Sequence, residues 1–219
     1  DRYYFNYNKL NKKTYILNYR RFLLWKKESQ WIQILYIFIG IHGNSWKTYE
    51  NYLKKECEKN SLKINFLDFP TEERCTYEEW ESMMDKYLSD NLINEETIVV
   101  SRCLGSRFVV KYTAKKKIKL KGFICIATSF EDYMPKDEMK ATWKSFHVTV
   151  EEMEAIPSYI KYRYSIYGDC DHLFPKEVLE KSSDYIYAKK ILVKDMNHCG
   201  NLSGVKKIPY VIDIINKIR

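Results

Sequence analysis

The chain has no long hydrophobic run, no closely paired cysteines and no basic stripe beyond its first thirty residues, and each absence removes a class of function. The longest apolar stretch, Ile34 to Ile41, is eight residues, far short of the ~20 that a membrane-spanning helix needs. It also lies too deep in the chain for a signal peptide. The six cysteines, at 57, 75, 103, 125, 170 and 199, show no CxxC and no regular spacing, so neither a zinc ribbon nor a disulfide framework is indicated. A reducing, cytoplasmic setting is the default expectation for such a chain. The formal charge of +8 suggests nucleic acid until it is divided: residues 1–30 carry eight Lys or Arg against Asp1 and Glu28, a net +6, leaving +2 for the rest. A nearly neutral body argues against a nucleic-acid binder. No internal repeat is visible.

What is present suits one folded domain. The 219 residues are 45% hydrophobic, enough for a sizeable core. Residues 1–30, rich in Tyr, Asn and Lys and without clean periodicity, read as a basic N-terminal extension, and residues 31–219 as a single domain. The start at Asp1 rather than Met is the expectation for a fragment or a processed form.

Ile32 to Ile41 is almost continuously apolar, as a strand buried on both faces of a parallel sheet requires. Trp46, Tyr49, Leu53 and Cys57 then share a helical face, a strand follows at 63–69, and Tyr77, Trp80, Met83, Met84, Tyr87 and Leu88 mark the next helix. Ile98 to Val100 read as a strand, and Leu104, Phe108 and Tyr112, four residues apart, as a helix whose lysines at 115–117 form a solvated end. Further strands are expected at 122–127, 161–167 and 189–194. Between the first two lies an irregular segment, 128–158, holding one short helix signal at Thr149 to Ala155. A last helix runs through Ile208, Val211, Ile212 and Ile215, with Pro209 tolerated in its first turn. Alternating strands and helices predict an α/β fold: a doubly wound parallel sheet of about six strands with helices on both faces and little or no cap.

Ser101-Arg102-Cys103-Leu104-Gly105, between strand and helix, has the small-x-nucleophile-x-Gly layout of a nucleophile elbow, with cysteine at the centre. Ser101 and Gly105 are small where the turn brings helix and neighbouring strand together. Three other chemically distinctive segments also follow strands: His42-Gly43-Asn44, Asp169-Cys170-Asp171 and Asn197-His198-Cys199. In a parallel sheet all these ends lie on one edge, where open α/β sheets bind ligands. A nucleophile needs an imidazole beside it and a carboxylate behind the imidazole. Cys103, His198 and Asp171 can supply these, with Asp169 the competing acid.

With HGN and the downstream Trp46, Phe69-Pro70, Trp80, the elbow, Asp171-x-x-x-Pro175, and His198 followed by Ser203-Gly204 and Ile208-Pro209, the chain resembles the small serine hydrolases of the retinoblastoma-binding protein 9 and YdeN-like family. The resemblance covers about 34–218 and implies a compact hydrolase acting on ester or amide bonds, with Cys103 in the nucleophilic serine's place, Asp171 as acid and His198 as base. It also favours Asp171 over Asp169, through the distance to Pro175. Cysteine points to activated esters and thioesters of small molecules, since a thiolate leaves readily from a tetrahedral intermediate. The oxyanion donors would be the backbone N–H groups of Leu104 and of Asn44 or its neighbour. His42 would shape that loop, while His147 and His172 read as surface residues. No cofactor, metal, nucleic acid or membrane span is expected, and the family's L-x-C-x-E retinoblastoma-binding pattern is absent. Two other readings stay open: a thiol cluster of Cys103, Cys170 and Cys199 with His198, holding zinc or forming a redox pair, and a catalytically impaired hydrolase-fold binding module that docks through residues 1–30.

Overall fold

The computed structural model describes residues 33–38, 46–67, 69–70, 75–90, 92–132, 134, 136–199 and 207–219, at backbone level only for 33–38, 46–48 and 50. The N-terminal extension expected at 1–30, His42 and Asn44 lie outside the described residues.

Strands β1 (Gln33–Phe38), β2 (Lys63–Phe66), β3 (Ile98–Arg102), β4 (Leu120–Ile126), β5 (Ile160–Gly168) and β6 (Lys189–Val193) form one sheet. All neighbours are parallel, in the order β2-β1-β3-β4-β5-β6. The first crossover, through α1 (Trp46–Lys59), moves outward from β1 to β2. Every later crossover moves the other way, through α2 (Tyr77–Ser89), α3 (Leu104–Lys116), α4 (Lys140–Ser145) with α5 (Val150–Tyr159), and α6 (Lys176–Tyr185). Because parallel crossovers are right-handed, reversing direction puts the helices on opposite faces. The cores follow that division. Tyr49, Leu53 and Cys57 of α1 and Val211, Ile212 and Ile215 of α7 (Pro209–Ile218) pack on Ile98, Val100, Ile124 and Ile126. Helices α2 to α6 cover the other face, over Val99, Phe123 and Cys125. Alternate residues of β3 and β4 thus serve opposite cores, as the period of two requires.

Local chemistry sets the ends of several elements. Thr76 and Glu79 form a reciprocal capping box at the start of α2, and Thr149 and Glu152 form another at α5. Pro209 stands in the first turn of α7, where its missing N–H is no loss. Gly122 of β4 is small because a Cβ there would meet Ile218 Cδ1 at 2.7 Å, so α7 lies close on the sheet.

The structure departs from the sequence expectations in four places. The strand expected over 63–69 ends at Phe66: β2 is an edge strand with one partner, and Leu67 and Phe69 are buried without a ladder. The segment 128–158 is more ordered than its pattern, with a 3₁₀ turn at Asp137–Met139, then α4 and α5. Helix α6 was not expected, because its buried face is Leu179, Ser182 and Ser183, and two serines give no apolar period. Ser183 instead donates to Leu179 O at 2.8 Å, with its Oγ 2.7 Å from Ser165 Oγ of β5. The lysines ending α3 are not simply solvated: Lys115 pairs with Glu81 at 2.7 Å and Lys116 with Asp85 at 2.8 Å, tying α3 to α2.

Candidate active site

Strand β3 runs straight into α3 with one residue between them, Cys103, at φ 51° and ψ −121°. A positive φ on a residue with a Cβ costs about 1–3 kcal/mol and persists only where its surroundings impose it. Here Cys103 N–H donates to Ile126 O of β4 at 3.0 Å, and Cys103 O accepts from Ser106 N–H at 3.0 Å. Ser101 and Ser106, on either side of the turn, bond through their hydroxyls at 2.8 Å. The turn from β3 to α3 is therefore a sharp one, made on a single residue.

The ends of β5 and β6 bring two more side chains together. His198 Nδ1 lies 2.8 Å from Asp171 Oδ2, and the Asp171 side chain is wholly buried. The second Asp171 oxygen accepts the N–H groups of Leu173 at 2.8 Å and Phe174 at 3.2 Å. Asp169, the competing acid, is turned away, accepting Asp195 N–H at 2.7 Å. His198 Nε2 is buried with no regular hydrogen bond among the described residues. The neighbour it senses is Cys103, by charge and sulfur contact. Cys103 is 2% and His198 4% exposed.

No family model and no curated protein matches the chain. Solved structures do. The ydeN gene product of Bacillus subtilis superposes with a TM-score of 0.72 at 18% identity, over 85% of this chain and 97% of that one. A putative YdeN-like hydrolase of Pectobacterium atrosepticum follows at 0.61 and 8%, over 91% and 96%. The carboxylesterase CesB of Bacillus subtilis gives 0.59 and 10%, over 86% and 84%. The fold is that of the α/β-hydrolases.

In an α/β-hydrolase fold the residue at the strand-to-helix elbow stands above the sheet edge, with the acid and histidine following in chain order. Cys103 stands between β3 and α3, Asp171 and His198 follow it in the chain and lie against each other, and the three are electrostatically coupled. Burial alone would raise the Cys103 pKa, but the adjoining His198, the Arg102 guanidinium and the Leu104 N–H together bring it below the ordinary thiol value. Burial disfavours the His198 cation too, yet the Cys103 sulfur and Asp171 carboxylate raise its pKa. Asp171 is lowered: burial opposes its charge, while His198 and two backbone N–H groups hold it. Cys57, Cys125, Cys170 and Cys199 all shift upward. Cys103 is set apart from them.

The other expected residues divide. Leu104 opens α3, and its N–H is one of the groups that lower the Cys103 thiol pKa. His172 is exposed but its ring lies 5.7 Å from that of His198, so it borders the site and is not a remote surface group. His147 lies elsewhere, 2.6 Å from Asp132. The zinc version of the thiol-cluster reading finds no metal-holding group of side chains among the described residues; Cys170 is exposed and Cys199 is buried against the Tyr49 hydroxyl at 3.3 Å.

Sequence reasoning missed Arg107, Trp143, Phe174 and Asn197. Arg107, in the second turn of α3, is fully buried, and its guanidinium donates to Phe146 O at 2.9 Å, Ser129 O at 3.2 Å and Glu131 O at 3.0 Å. It lies 4.3 Å over the Trp143 ring, Trp143 stacks on Phe174 at 5.6 Å, and Phe174 packs 5.9 Å from His198. The one signal was an arginine set beside the apolar run Phe108-Val109-Val110.

Proposed function

We propose that the chain is a hydrolase cleaving ester or thioester bonds of small substrates, with Cys103 as nucleophile, His198 as base and acid, and Asp171 as the group that orients His198. The observation that carries this reading is the 2.8 Å Asp171–His198 contact next to a cysteine strained at an elbow. The solved neighbours are described as hydrolases, carboxylesterases and lipolytic enzymes, which favours an ester-type bond over other chemistries of the fold. We place the enzyme in a reducing, cytoplasmic setting because its cysteine spacing fits no disulfide framework. No helix among the described residues is long and apolar enough to cross a membrane.

A lowered thiol and a raised imidazole favour the thiolate–imidazolium form of the pair. The thiolate adds to the acyl carbon, and the carbonyl electrons move onto oxygen, which the N–H of Leu104 and a second donor at Asn44 would hold. When the tetrahedral intermediate collapses, the C–O or C–S bond breaks and His198 passes its proton to the leaving group. A water molecule then gives its proton to His198 as it attacks the thioester carbon, and the thiolate departs with the acid product formed. Throughout, Asp171 fixes the Nδ1–H tautomer of His198 and steadies its charge.

The test is turnover of p-nitrophenyl acetate together with iodoacetamide labelling against pH, for wild type, Cys103→Ser, Cys103→Ala and His198→Ala. Cys103 is expected to label fastest of the six thiols, with an inflection that moves up in His198→Ala, and Cys103→Ala is expected to lose hydrolysis. Equal labelling of Cys103 and Cys57, with full hydrolysis by Cys103→Ala, would overturn the assignment. Hydrolysis by Cys103→Ser alone would mark a serine-hydrolase scaffold disabled by one atom.

A further inference from the structure

The acid and the histidine belong to separate loops, after β5 and after β6, and the loops meet along a seam with three contacts. At its base, a Cβ on Gly168 would lie 1.5 Å from Met196 O, so the backbones touch where only glycine fits. One step on, Asp169 Oδ1 takes the Asp195 N–H at 2.7 Å. At the rim, Asn197 Oδ1 takes the N–H of His198 at 2.7 Å, the N–H of His172 at 3.1 Å and a contact from the His172 ring nitrogen Nδ1. Two of those donors are backbone N–H groups, which can only donate, so the atom facing them is the amide oxygen. Asn197 therefore grips both loops: the histidine's own peptide on one side and the residue next to Asp171 on the other.

The histidine loop needs such a grip. Asp195 and Cys199, on either side of His198, have φ of 57° and 53°, left-handed conformations that Asp tolerates and that cost a Cys more. Cys199 has one support in Tyr49, whose hydroxyl donates to Cys199 O at 3.1 Å. Asp195 has the Asp169 clamp. Between them, the position of the His198 backbone rests on Asn197.

The geometry points to Asn197 as a positioning residue for the reaction, whose side-chain oxygen sets the distance between Asp171 and His198 by holding the acid loop to the histidine loop. The inference rests on the hydrolase reading above. A carboxylate and an imidazole at 2.8 Å act as a unit only while both loops keep register, and a shift of about 1 Å in such a pair costs on the order of 100-fold in rate. Removing the oxygen should therefore lower kcat more than it raises KM, because the oxygen acts on the two loops that hold Asp171 and His198. It should also weaken the coupling that keeps Cys103 ionised.

The experiment compares Asn197→Ala, which loses the acceptor, with Asn197→Asp, which keeps it. For each, kcat and KM are measured with p-nitrophenyl acetate and Cys103 alkylation by iodoacetamide is followed against pH. For Asn197→Ala we expect kcat to fall by about tenfold or more with KM within about twofold, and the alkylation inflection to move towards that of His198→Ala. For Asn197→Asp we expect recovery of most of the lost kcat. Alkylation needs no turnover, so it separates the two readings. If wild type hydrolyses nothing but the inflection still moves in Asn197→Ala, the hydrolase reading fails and the seam stands. A wild-type alkylation profile in Asn197→Ala, or equal losses of kcat in the Ala and Asp variants, overturns the role proposed for the oxygen.

Discussion

Asp171 is the residue whose charge state ties the site to stability. Its carboxyl is buried, which opposes ionisation, yet the His198 partner and the Leu173 and Phe174 N–H groups hold its pKa below the ordinary value of 3.8. The folded protein thus binds that proton less tightly than the unfolded chain does. The stabilisation is fully present above the unfolded pKa and disappears as pH falls through the lowered folded one. Asp171→Asn should consequently lose stability relative to wild type at pH 7, and the gap should narrow as pH drops below about 4. Urea midpoints of both proteins at pH 7, 5 and 3 check this, and a gap that stays constant or widens towards acid contradicts it. The choice of Asp171 over Asp169 came from the distance to Pro175 under the family resemblance, and Asp171 is the carboxylate that meets His198. Asn197 was not legible in the sequence, since a single amide in a loop has no pattern until the facing loop is in view.

Helix α3 does two jobs, starting at Cys103 and presenting Arg107 to the segment after β4. The guanidinium spans carbonyls at 129, 131 and 146, both ends of the chain that carries Trp143. Asp132, the anionic partner at 3.5 Å, is mostly exposed. Burial accordingly lowers the Arg107 pKa to about 10, against the pull of Asp132. Replacing Arg107 by Leu leaves three carbonyls without their donor, at about 1–3 kcal/mol for each that stays buried. We expect Arg107→Leu to cost about 3 kcal/mol or more in chemical denaturation, and Arg107→Lys to recover little, because an ammonium lacks the planar fork. A loss under about 1 kcal/mol in Arg107→Leu would show that the segment holds itself. This part of the fold was hidden from periodicity for a physical reason. The stripe of Leu104, Phe108 and Tyr112 marks one face, whereas α3 is also buried at Gly105, Ser106, Arg107, Val109, Val110 and Thr113, wedged between sheet and helices. Helices α1, α2 and α7, with water on one side, kept a readable stripe; α4, six residues long, and α6, with serines on its buried side, did not.

At the scale of the molecule, the order of strands decides why one edge of the sheet carries the chemistry. The chain goes outward from β1 to β2 and then back past β1 to β3, so the sheet has its switch point between β1 and β3. Cys103 follows β3, and all later winding in one direction delivers the acid loop and the histidine loop in turn to the same edge. The price is that the face under α1 and α7 lies on the opposite side of the sheet from the Arg107–Trp143 wall, linked to it only through strands shared by both cores. Ile98 and Val100 point to one core and Val99 to the other, with Gly122 and Ile124 paired beside them. Because no strand can lose one face's packing and keep its ladder, the two faces should unfold together. Ile215 tests this from the far side: it is fully buried on α7 and remote in the fold from Trp80 and Trp143, which belong to the opposite core. Ile215→Ala is expected to cost about 2–5 kcal/mol. The same shift in midpoint should appear in tryptophan fluorescence, near-ultraviolet circular dichroism and Cys103 alkylation. A variant whose far-ultraviolet transition moves while the alkylation transition stays in place would mean that the catalytic edge is held by its own face alone, and that the shared strands do not couple the two cores.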